Sequence, residues 1–145
     1  MALIINIADA VVAELNAAPA GTFDPAFTAS RRVLPEFDLA ELAELKVTVV
    51  PKAVDITGST RSVGQFDCQI DIGVQKKLGK DLDTETAALC SLVDAIAAYL
   101  RRRPLAATPH AVWVRSRNDP VYAPEHLADQ RAFTGVLTVT YRSVG

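Results

Sequence analysis

DLDTETAALCSLVDAIAAYLRRRP, from Asp81 to Pro104, is the stretch whose reading decides the fold. Leu89, Leu92, Val93, Ile96, Tyr99 and Leu100 recur at three- and four-residue intervals, which puts them on one stripe of a helix. Asp83 or Thr84 can cap its start, and Glu85 places negative charge in the first turn, where the helix dipole favours it. Arg101, Arg102 and Arg103 place positive charge in the last turn, and Pro104 stops the helix. An amphipathic helix of this length needs an apolar surface to cover. The segments on either side read as strands able to supply it.

On the N-terminal side, Phe66, Cys68, Ile70, Ile72 and Val74 alternate with Asp67, Gln69, Asp71, Gly73 and Gln75, a strict period of two. One face of that strand meets a core and the other meets water or a neighbouring subunit. Before it, the polar loop Asp55–Gly64 reads as a mobile arm or hairpin tip, and KVTVV (Lys46–Val50) reads as a brief strand closed by Pro51. Further back lie a DLAEL turn, an imperfectly alternating strand from Ala26 to Leu34, and a first helix from about Leu3 to Ala17. On the C-terminal side, AVWVRSR (Ala111–Arg117) reads as a strand and Asn118–Gln130 as a loop. The last strand runs from Phe133 to Ser143, with Phe133, Leu137, Val139 and Tyr141 on one face and a threonine-rich opposite face. The order predicts an α+β fold: a mixed or antiparallel sheet of four to five strands with two helices packed on one face.

The 145 residues fit a single domain, residues 1–145, with a sizeable core. A net charge of -2 gives no overall electrostatic case for nucleic acid or a membrane surface. No stretch approaches the length of a membrane span, and MALIINIADA lacks the basic start and cleavage site of a secretory signal. Cys68 and Cys90 form no CxxC pair and read as reduced, core-packed or core-edge thiols of a protein made in the cytoplasm, with a disulfide between them as the alternative.

Motifs that carry chemistry are sparse. Gly58-Ser-Thr-Arg-Ser-Val-Gly64 lacks the lysine and the following helix of a phosphate-binding loop, and GxSxG does not occur. His110, Asp119, Glu125 and His126 would converge on a metal only by accident of the fold. Asp67 and Asp71 share a strand face, where solvation or pairing with a cation explains them better than acid–base work. No catalytic residue, cofactor or metal ligand is assigned. Strict alternation puts Trp113 on one face with Arg115 and Arg117, opposite Val112 and Val114. With the valines in the core, Trp113 stands at the surface as an interface anchor, which is the arrangement expected here. With Trp113 in the core, the arginines lie at the sheet margin.

Taken together, the elements resemble a known family. The opening helix, RRVLPEFDLAELAELKVTVVP, the long alternating strand, ALCSLVDAIAAYL and the closing R-x-F-x-G-x-L-x-V-x-Y (Arg131 to Tyr141) are similar to the small tail-terminator, or tail-completion, proteins of long-tailed bacteriophages, the group that includes the U protein of phage lambda. The resemblance implies a structural virion protein of the tail or neck, assembled in the host cytoplasm, with no reaction and no cofactor. It implies a homo-oligomeric ring, usually a hexamer, that caps the tail tube protein and meets the head–tail connector protein. Head-closure proteins of the neck are the nearest alternative, and a small enzyme with its site in the Asn118–Gln130 loop is the alternative from another class. Interface candidates chosen for exposure and chemistry are Ser59, Thr60 and Arg61 in the Asp55–Gly64 arm, Trp113, Arg115 and Arg117 in the Ala111–Arg117 strand, and Tyr122 in the Asn118–Gln130 loop. Arg101, Arg102 and Arg103 are candidates to face a lumen and touch passing DNA non-specifically.

Overall fold

The computed structural model describes residues 2–33, 41–58, 61 and 63–144. In chain order these form α1 (Leu3–Asn16), β1 (Ala29–Arg31), a 3-10 turn (Glu41–Ala43), β2 (Lys46–Gly58) and β3 (Gly64–Lys77). There follow α2 (Leu82–Leu100), β4 (Val112–Asn118), α3 (Pro124–Gln130) and β5 (Ala132–Val144). The strands make one sheet in the order β1-β2-β3-β5-β4, with β1 parallel to β2 and every other pair antiparallel. The architecture is α+β with a mixed five-stranded sheet.

Alternation in β3 and β5 separates two faces. Cys68, Ile70, Ile72 and Val74 meet Tyr141, Val139 and Leu137 in one buried layer. Ile7, Val11 and Leu15 of α1 and Leu89, Leu92, Val93 and Ile96 of α2 complete that layer. Both long helices therefore cover the same face, α1 over β1 to β3 and α2 over β5. The end of α1 is tied to the first strand by the Asn16 side chain, whose Nδ2 donates to the Ala29 carbonyl while its Oδ1 accepts from the Ala29 amide.

Several local expectations need correction. The cap of α2 is Asp81, whose carboxylate accepts from the Thr84 amide at 3.2 Å and hydroxyl at 2.8 Å. The helix closes at Leu100, so Arg101, Arg102 and Arg103 lie beyond it. Pro104 explains this, because it has no N–H for the Leu100 carbonyl and its ring would clash there. Arg102 turns the chain through a left-handed φ of 58°. Pro51 does not end its strand: β2 runs on to Gly58, with a bulge between Pro51 and Ala53. Proline is tolerated at bulges and along free edges, where a missing donor costs little. Of the expected strand from Ala26 to Leu34 only Ala29–Arg31 pairs, while Leu34 and most of the DLAEL turn fall outside the described residues. The Asn118–Gln130 segment is not all loop, since Pro124 opens α3.

Candidate interaction surface

The sheet face away from the helices carries paired charges and hydroxyls. Arg142 donates to both oxygens of Asp67, at 2.8 and 3.1 Å, directly across the β3–β5 ladder. That hydrogen-bonded pairing holds the Asp67 carboxyl below its ordinary range, with the charge of Arg115 adding to it. The Thr138 hydroxyl donates to Asp71 at 2.6 Å, and Lys52 stands 3.9 Å from the same carboxylate. Asp67 and Asp71 are thus engaged separately, and four residues along a strand puts them about 13 Å apart. Across β2, β3, β5 and β4 this face dips into a concavity of about 400 Å³, lined by Lys52, Gln69, Arg115, Arg117, Thr138 and Thr140.

Trp113 is not on that face. A bulge between Trp113 and Arg115 inserts Val114, so Trp113 pairs with Tyr141 on the helix side while Arg115 and Arg117 pair with Thr140 and Thr138 on the polar side. The expected sharing of one face fails because the extra residue reverses the alternation. Trp113 packs half-buried against the core, and its indole N–H donates to the Ser116 hydroxyl at 3.0 Å. A shallow hollow of about 340 Å³ lies beside it between α2 and β4, with Ala97, Ala98 and Arg101 on its walls.

The remaining candidates scatter. Arg103 folds back on its own helix: Nε donates to the Tyr99 carbonyl, the guanidinium lies 3.8 Å from the Tyr99 ring centre, and Glu14 stands 3.9 Å away. Arg101 and Arg102 are exposed. Tyr122 is about one third exposed, with its ring 6.2 Å from that of Phe133. Ser59 and Thr60 lie outside the described residues, and Arg61 is exposed. His110 contacts the Ser143 hydroxyl and His126 the Thr134 hydroxyl. Those hydroxyls are nine residues apart on β5, about 30 Å, so the two histidines cannot share a ligand. Among the described residues, no three of His, Cys, Asp and Glu gather closely enough to hold a metal ion. Cys68 and Cys90 are free thiols, both pushed up by burial.

Two surfaces escaped the sequence reading. Beyond Pro51 the β2–β3 hairpin outruns its helical cover, leaving Val54 and Ile56 37% and 66% exposed. Among the described residues nothing pairs with the outer edge of β2 from Val50 to Gly58, because β1 covers only Val47 to Val49. Among the described residues β4 is the free edge at the opposite end of the sheet. The pattern Ala123-Pro124-Glu125 was a legible start signal for α3. Neither bulge has a comparable signal. No protein-family model matches the chain, and no curated protein matches it either.

Proposed function

We propose that this chain is a structural ring subunit of a long-tailed bacteriophage, of the tail-terminator type, which caps the tail tube and presents a surface to the head–tail connector. One observation carries the reading. A well-filled core supports a sheet whose two ends are both open among the described residues, with a hairpin arm and unpaired backbone at one end and an unpaired strand at the other. Native monomers blunt long free edges. Two different free surfaces on one subunit suit a head-to-tail contact, which closes into a ring when the rotation per subunit divides a full turn. The mixed polar face supports the same reading, since its arginines and lysine are held in place by strand geometry and can line a channel through which DNA passes. Light scattering over a wide concentration range, with negative-stain images of heavy species, tests it. Closed rings of about six copies support the reading, and open fibres or a strict monomer count against it.

A further inference from the structure

We propose that the free edge of β2, from Ala53 to Thr57, pairs antiparallel with β4 of a second copy, so that the sheet continues from each subunit into the next. The pairing rests on the ring reading for its closure and specifies which surfaces make the ring. Strand direction permits it. β2 and β5 run the same way and β4 runs against them, so a copy placed in sequence along the sheet brings β2 antiparallel to β4 with the helices on the same side.

Charge selects the partner. Asp55 lies directly opposite Asp67 within the chain, and like charges placed so repel. Asp67 is matched by Arg142, whereas Asp55 has no cation within ion-pair distance among the described residues. Arg115 is its counterpart: an exposed guanidinium on the other free edge, with no carboxylate within that distance among the described residues. Both project from the polar face of the sheet.

One register meets every constraint. Through the ladder, Asp55 stands level with Asp67, Arg142 and Val112. A stagger of two residues, about 7 Å, sets Asp55 opposite Arg115 of the next copy, and staggered pairing is what closing a sheet requires. The same stagger turns Ile56 towards Trp113 and Val54 towards Ser116 on the helix side. There the hollow bordered by Ala97, Ala98 and Trp113 receives the two exposed aliphatic side chains. Shifting by one residue would put Asp55 against the apolar hollow and the aliphatics against the arginines.

The test is charge reversal with restoration. Asp55→Arg and Arg115→Asp are each made singly and then together in the full chain, with folding checked by far-UV circular dichroism and self-association by sedimentation. Each single change is expected to weaken association by about tenfold or more, and the double change to bring it back towards the starting value. A second readout uses Asp55→Cys with Arg115→Cys, which is expected to give a reducible ladder of covalent oligomers on oxidation that neither single cysteine gives. Rings indifferent to charge reversal and without the ladder would overturn the pairing and leave the ring reading standing. Singles that weaken association without restoration in the double would also overturn it. A chain that stays monomeric at every concentration would overturn both.

Discussion

Tyr141 brings a hydroxyl into the fully buried layer between the helices and the sheet, where it has no hydrogen-bond partner among the described residues. Burial, with the charge of Glu14 adding to it, pushes the phenol far above its ordinary range. An unsatisfied buried hydroxyl costs about 1–3 kcal/mol, so Tyr141→Phe is expected to raise stability by about 1 kcal/mol in denaturant unfolding. A loss would mean that the hydroxyl has a partner in solution. The pH dependence has a definite sign. The folded state keeps the phenol protonated while the unfolded chain releases the proton above about pH 10. Stability is therefore lost as pH rises past that point, and Tyr141→Phe should flatten the loss. Asp67 behaves in the opposite sense. Arg142 lowers its folded value, so its contribution is present above about pH 4 and disappears as pH falls through the folded value. Asp67→Asn is expected to unfold less steeply below pH 4 than the parent, and an unchanged acid limb would show the pair to be idle.

At the scale of elements, the sequence was legible wherever a period ran uninterrupted. The stripe from Leu89 to Leu100 and the alternation from Phe66 to Val74 gave α2 and β3, because burial of one face selects one spacing. It was illegible where a single residue breaks the count. Val114 and Lys52 are bulged residues, and nothing in their side chains announces that role. The expectation that Trp113 shares a face with Arg115 and Arg117 failed on that account. Gly135 shows the same limit, since the pattern marks only an interruption. A Cβ there would stand 2.6 Å from the Val121 carbonyl oxygen, in the segment after β4 that hydrogen-bonds alongside β5 at Thr134 and Val136. Gly135→Ala is expected to cost about 1–3 kcal/mol by forcing that segment outward. Unchanged stability would mean that the Asn118–Gln130 segment yields freely. Asp81→Ala is expected to cost about 1 kcal/mol by freeing the Thr84 amide, measured by thermal unfolding.

At the scale of the whole molecule, two helices seal one sheet face, and among the described residues the opposite ends of the sheet are left open. The sequence showed the sealed face, because a core is written in apolar periodicity. It did not show the two edges, because whether a strand has a neighbour depends on strand order and not on its own residues. The candidate residues divide accordingly: Arg115 and Arg117 are at a free edge on the polar face, while Trp113 lies on the other side of the sheet. Val54, Asp55 and Ile56 fall on one strand edge because β2 runs past Pro51, where the sequence reading had ended the strand and begun an arm at Asp55. Edge pairing and ring closure make one joint prediction about mass. The most direct test is the molar mass of the purified protein by light scattering across a wide concentration range, with negative-stain images of the same samples. Closed rings of about six subunits are expected, with Asp55→Arg shifting them towards monomer. A monomer at every concentration, or fibres that never close, would contradict the assignment as a ring-forming tail protein.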